Sequence, residues 1–334
     1  MNEYDFETSA IHAGESANSA VSVLRPPPST TGTSRKMHAG EVETSADLVS
    51  RLLAERYPQW ADLPITPVPS AGTDNALYRL GDDMVVRLPR IDWAIGQAEK
   101  ERQWLPRLSP WLPLDIPVQL AVGEPGAGYP WPWAVYRWLE GESATFERLA
   151  DPRKAATDLA RFIEALHRID TTGGPLAAEH HLRGAPLAMR DAQTREALAA
   201  LKEMMDTDMA TQVWESALEA PEWDREPVWF HGDLLSGNLL IEQGNLKAVI
   251  DFSGLGVGDP ACDLMIAWGL FSGESRETFR AALGVDDATW ARGRGQALSQ
   301  AVIFIPYYLE TNPVGVNNAW RAVAEVLRDY SAHG

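Results

Sequence analysis

The chain has 334 residues, 45% of them hydrophobic, enough for two lobes because single cores stop growing near about 250–300 residues. A net charge of −18 argues against partners built on phosphate backbones or anionic lipid, and no apolar run approaches the roughly 20 residues that a membrane-spanning helix needs. The single cysteine, Cys262, rules out an internal disulfide and lacks the companions of a zinc site, so a cytoplasmic protein with no membrane and no nucleic-acid partner is expected.

Residues 1–40, rich in Ser, Thr, Ala and Pro, are expected to form a disordered tail, with Met37 as a candidate natural start and a compact domain from about Glu41. Leu48, Leu52, Leu53 and Tyr57 recur at helical spacing, with Ser45 placed to cap the helix. Short strands are predicted at Thr66–Ser70, Ala76–Leu80 and Met84–Leu88, separated by turn-forming residues. Alternation in the third strand puts Val85 and Arg87 on one face and Met84, Val86 and Leu88 on the other. A helix is predicted from about Trp93 to Leu105, ended or kinked by Pro106, and a strand over Trp133–Leu139. After Gly141 the pattern turns helical, with Leu159, Phe162, Ile163 and Leu166 forming one stripe.

The densest chemistry lies at His231-Gly232-Asp233-Leu234-Leu235-Ser236-Gly237-Asn238, followed by Leu239–Ile241, Gly244-Asn245, Leu246–Ile250 and Asp251. Gly244-Asn245 between two apolar runs predicts a hairpin in which Gln243 faces Leu246 and Asn238 faces Asp251. An amide oxygen and a carboxylate at the mouth of a strand pair suit Mg²⁺ carrying a nucleoside triphosphate. Asp233, on the loop entering that hairpin, is then free to accept the proton of an attacking hydroxyl or to orient it.

This spacing matches the catalytic loop of protein kinases, with His-Gly-Asp in place of His-Arg-Asp. Together with Ile250-Asp251-Phe252-Ser253-Gly254 and Gly258-Asp259-Pro260-Ala261-Cys262-Asp263-Leu264, it resembles the aminoglycoside phosphotransferase family over about residues 45–330. That family is related to choline and macrolide kinases. The resemblance implies an α+β, bilobal protein-kinase-like fold, with an antiparallel sheet plus helices in the N-lobe and an α-rich C-lobe. The implied division is a nucleotide-binding N-lobe at 41–139 and a catalytic, substrate-binding C-lobe at 140–334. It makes Asp233 the catalytic base or orienting group, His231 a support of the catalytic loop, and Asn238 and Asp251 the magnesium ligands.

The resemblance also places Arg87 where most kinases carry a phosphate-binding lysine, a departure that alters geometry because guanidinium is planar and always charged. Its helix partner is expected to be Glu101 rather than Glu99, since Glu101 lies one turn before Leu105 on the packed face. Gly72 and Thr73, within Ser70–Asn75, sit where backbone N–H groups could meet phosphates, though the same residues suit an ordinary turn. Backbone groups of Arg137 and Leu139 occupy the hinge position facing the purine of ATP or GTP.

Between Pro186 and Asp224 acids outnumber bases, Asp191, Glu196, Glu203 and Asp206 among them, and in the family this segment helps shape the acceptor pocket. The expected acceptor is therefore a hydroxyl of a cationic, aminoglycoside-like substrate, as in antibiotic resistance. Solvated helix faces account for the same acids. A macrolide, a choline-like amine or another metabolite is the alternative, and a catalytically idle kinase-like module the contrasting one.

Overall fold

A computed structural model describes residues 36–38, 40–70, 72–177 and 182–333, so most of the expected tail lies outside the described residues. One residue of that stretch, His38, packs into the fold. His38 is 3% exposed and sits among Trp93, Tyr307 and Tyr308. Its Nε2–H donates to Thr73 O at 3.1 Å, which leaves Nδ1 to accept from the Tyr307 hydroxyl at 3.2 Å.

Helix α1 (Ala46–Arg56) starts at Ser45, whose side chain accepts from Leu48 N, and it buries Leu48, Val49, Leu52 and Leu53. These pack on a five-stranded antiparallel sheet of β1 (Ile65–Pro67), β2 (Asn75–Leu80), β3 (Met84–Pro89), β4 (Gln119–Gly123) and β5 (Trp133–Arg137), ordered β1-β2-β3-β5-β4. Alternation decides what each face does: Met84, Val86 and Leu88 of β3 enter the core, and Val85 and Arg87 line a cleft.

Helix α2 (Gln97–Leu108), inserted between β3 and β4, begins later than expected because Asp92–Ala94 forms a separate 3₁₀ turn and Gly96 takes a left-handed φ of 90°. It also continues through Pro106. A proline this close to the C-terminal end forfeits a hydrogen bond only to the carbonyl of solvent-facing Arg102, and Trp104, Leu105 and Leu108 anchor the last turn in the larger, helical core. The helix thus faces the sheet from one side and is gripped by the other part of the molecule.

The helical part runs from β6 (Glu142–Ser143) through α3 (Pro152–His167), α4 (Asp191–Leu201) and α5 (Thr207–Glu219). Then come β7 (Val228–Phe230), the hairpin β8 (Leu239–Glu242) and β9 (Asn245–Val249), and β10 (Gly256–Gly258). It closes with α6 (Ile266–Gly269), α7 (Gly273–Leu283), α8 (Asp287–Tyr308) and α9 (Pro313–His333). The α+β kinase-like expectation holds. Among the described residues no helix is long and apolar enough to cross a membrane.

Candidate active site

The β8–β9 hairpin does not have the predicted register. Its turn is Gln243-Gly244, both with positive φ (51° and 78°), which pairs Glu242 with Asn245 and Ile241 with Leu246. A bulge then shifts the ladder so that Leu240 faces Ala248 and Leu239 faces Val249, and Ile250 N donates to Asn238 O at 2.9 Å. Asp115 holds the bulged strand, donating from its N–H to Lys247 O and accepting from Val249 N. Asn238 is therefore opposite Ile250, one residue short of Asp251. The acid is re-aimed by its own left-handed backbone, φ 62° and ψ 70°, and both side chains line the same cleft of about 1550 Å³.

The loop before the hairpin is clamped from behind. Asp263, fully buried, accepts from His231 N at 2.7 Å and Gly232 N at 2.8 Å. Gly232 has φ 81°, and a Cβ there would meet Gly254 O at 2.3 Å, so only glycine lets this loop lie against the segment after Asp251. His231 is walled off from the cleft. Its Nε2–H donates to Ile250 O at 3.0 Å and its Nδ1 accepts from Asp233 N at 3.1 Å, while burial lowers its pKa and keeps it neutral. It ties the backbone of Asp233 to Ile250 at the end of the hairpin.

Asp233 presents both carboxylate oxygens to donors: Oδ1 to Arg183 Nη2 at 3.0 Å, and Oδ2 to Asn238 Nδ2 at 2.9 Å. Burial pushes its pKa up, and Arg183 works in the opposite direction. Asn238 Nδ2 also donates to Asp233 O, which turns its oxygen away from that loop. Burial also opposes the Asp251 carboxylate, but Arg87 and the Ser253 donors outweigh it and hold it below its ordinary value. Asp251 Oδ1 accepts from Arg87 Nη2 and Ser253 N, each at 3.3 Å. The remaining donors, an amide oxygen and a carboxylate oxygen, are the hard ligands Mg²⁺ takes while keeping positions for phosphate and water.

Arg87 is the centre of the nucleotide side. Nη1 donates to Glu101 Oε1 at 2.8 Å and Oε2 at 3.0 Å, and Nη2 reaches Gln97 at 2.8 Å besides Asp251. Glu101 is fully buried and also accepts from the Tyr136 hydroxyl, whereas Glu99 is exposed and pairs with Arg102. Burial opposes the Arg87 charge, but Glu101 and Asp251 prevail and raise its pKa. Gln97 escaped the sequence reading, although its place one turn before Glu101 was a usable signal.

The other expected nucleotide residues fall around the cleft with different degrees of freedom. Gly72 and Thr73 line it, but Gly72 N donates to Ser70 Oγ at 2.9 Å. Arg137 and Leu139 line it as well; Arg137 N is engaged with Val118 O at 2.9 Å, so of the two hinge amides only Leu139 N lacks a protein acceptor among the described residues. On the acceptor side the wall is Ala197, Ala200, Ile303, Phe304, Tyr307 and Tyr308 with Arg183, Arg190 and Glu196. Of the acids in the 186–224 segment, Glu196 alone lines the cleft. Asp191 pairs with Arg195 and Trp214, Glu215 with Arg195, and Asp206 caps α5.

A sheet and a helical body around a cleft holding these groups define a kinase-like phosphotransferase. The model of the phosphotransferase enzyme family matches residues 65–297, and the chain belongs to that family. It is a phosphotransferase. No curated protein matches it. Among solved structures, the GDP complex of wild-type aminoglycoside 2'-phosphotransferase-IIIa is similar at 19% identity and TM-score 0.69, over 86% of this chain and 100% of that one. ADP-bound aminoglycoside phosphotransferase APH(2'')-Ib gives 19% and 0.56 over 85% and 97%, and macrolide 2'-phosphotransferase type I gives 20% and 0.57 over 85% and 98%. At these identities the likeness is one of fold.

Proposed function

We propose that this chain transfers the γ-phosphoryl group of ATP or GTP to a hydroxyl of a bulky, largely apolar acceptor carrying a single amine, as a macrolide does. Asn238 and Asp251 are the residues that would hold Mg²⁺, which supplies charge neutralisation on the phosphates when bound. Arg87, fixed by Glu101, Gln97 and Asp251, faces the phosphates, and Leu139 N faces the base. Asp233 accepts a hydrogen bond from the acceptor hydroxyl and takes its proton as the oxygen attacks the γ-phosphorus. The bond to the bridging oxygen breaks and the diphosphate leaves with that electron pair.

The observation that carries this reading is the convergence of Asp233, Asn238, Asp251 and Arg87 on one cleft. For the acceptor, the argument is its wall, in which aromatic and aliphatic groups predominate and the acidic 186–224 segment contributes only Glu196. Such a largely apolar wall suits one amine better than several. A polycationic amino sugar is the second reading, favoured by the net charge of −18, which draws any cation toward the protein.

The test is a diphosphate-release screen with ATP and GTP across macrolides, aminoglycosides and small amino alcohols. Alongside it, Asp233→Asn should bind nucleotide yet lose about 10³-fold or more in turnover, and Asp251→Ala should lose magnesium-dependent nucleotide binding as well. Full activity in both variants removes the assignment. Turnover confined to aminoglycosides selects the second acceptor.

A further inference from the structure

Arg183 occurs in no part of the sequence argument, and among the described residues it is the one cation in direct contact with Asp233. Its position is built rather than incidental. Leu182 and Gly184 both have positive φ, 57° and 64°, and Gly184 O accepts from Asp259 N at 3.1 Å. A Cβ at Gly184 would meet the Phe230 ring at 2.2 Å, so the turn carrying Arg183 is pressed onto the strand that leads into His231 and Asp233.

The guanidinium is only partly satisfied. Nη2 bonds Asp233 Oδ1 at 3.0 Å, whereas Nη1 is buried without a hydrogen-bond partner among the described residues. An arginine kept for folding alone looks different. Arg292 uses Nε, Nη1 and Nη2 on Asp259, Pro221 O and Thr289, and Arg276 does the same with Ala267 O, Glu325 and Phe271 O. A buried guanidinium nitrogen with no acceptor destabilises the resting protein, which points to an acceptor that arrives with substrate and meets Nη1 as the Arg183 side chain shifts toward the cleft.

Two other cations of the cleft are committed elsewhere. Arg87 is held by Glu101, Gln97 and Asp251, and Lys100 Nζ donates to Ser253 O and Leu255 O. The planar fork fixes Nη1 beside Nη2, so an oxygen accepting from Nη1 lies next to whatever Asp233 holds. In the proposed reaction Asp233 holds the attacking hydroxyl, and its neighbour is the phosphoryl group in transit.

We propose that Arg183 is a catalytic residue that binds Asp233 through Nη2 and donates through Nη1 to an equatorial oxygen of the phosphoryl group as it passes to the acceptor. The inference rests on the assignment of Asp233 made above. It balances the negative charge that Asp233 would otherwise set against the incoming phosphoryl oxygens, and it does so from the acceptor side. No new bond is made or broken beyond the O–P exchange already described.

The test compares Arg183→Gln and Arg183→Lys with the wild type, in turnover and in binding of magnesium–nucleoside diphosphate with and without tetrafluoroaluminate, a mimic of the phosphoryl in flight. Expected for Arg183→Gln is a kcat loss of about 10³-fold, the lower end of what arginine contacts to transferring phosphoryl groups contribute. Nucleotide KM, diphosphate affinity and melting temperature should stay near wild type, the tetrafluoroaluminate complex should weaken, and Arg183→Lys should recover part of kcat. A kcat within threefold of wild type for Arg183→Gln overturns the proposal, as does an equal loss of diphosphate and tetrafluoroaluminate binding in both variants. Asp233→Asn run in parallel separates the two claims. If it is inactive while Arg183→Gln is active, the Arg183 proposal falls alone; if it is fully active, both fall.

Discussion

The two sides of the cleft each carry an arginine bound to a functional carboxylate, and they treat it in opposite ways. Both terminal nitrogens of Arg87 are engaged: Glu101 takes Nη1 through both oxygens, while Gln97 and Asp251 share Nη2. Arg183 on the acceptor side has one terminal nitrogen on Asp233 and the other buried with no partner among the described residues. A side that is complete before ligand arrives fixes the position of a common co-substrate. A side with an unmet donor is finished only by the reacting groups, so its interactions are stronger in the transition state than at rest.

The sharpest way to break this contrast is to open the Arg87 side. Glu101→Ala leaves the Arg87 charge short of its main partner in a buried site, which should cost about 3–5 kcal/mol of stability in a denaturant titration and raise the nucleotide KM. If the variant unfolds at the wild-type midpoint, Arg87 is not held as described. Removing the arginine on the acceptor side should do the reverse, sparing stability and lowering kcat.

A smaller effect concerns Lys100, whose amine joins α2 to the segment after Asp251 and whose pKa burial lowers to about 8. Below that pH the native state holds a buried charge. Between about 8 and the ordinary value of 10.5 the unfolded chain keeps a proton that the folded chain has released, so stability should rise with pH across this window. Lys100→Met should flatten that rise in urea titrations at several pH values; an unchanged slope would assign it to another group.

The mildest probe is His38, which spans from Thr73 in the sheet half to Tyr307 on α8. Its ring bridges the phosphate side and the acceptor side. His38→Ala should lower stability by roughly 1–2 kcal/mol and raise the acceptor KM more than the nucleotide KM. Equal changes in both constants would place its effect in the fold rather than at the rim.

Much of the nucleotide side was legible because its signals are periodic. Alternation put Arg87 opposite the core face of β3, helical spacing favoured Glu101 over Glu99, and Ser45 marked the start of α1. The acceptor side was not legible in the same way. The acid excess of the 186–224 segment suggested a cationic pocket, yet those helices turn most of their acids to solvent or to one another, and only Glu196 reaches the cleft. Arg183 stands in a short irregular turn where no period announces a direction.

By itself the sequence determined a sheet-bearing first half, a helical second half and the face on which Arg87 lies, since these follow from residue type and from spacing along one strand or helix. Only the tertiary structure decided the hairpin register, where a bulge pinned by Asp115 and the left-handed backbone of Asp251 together replace the simple facing of Asn238 and Asp251. It also decided the meeting of Arg183 with Asp233, fifty positions apart along the chain. Side-chain direction in a bulge or an irregular turn is set by what packs against it, and that partner is fixed only when the whole chain has folded.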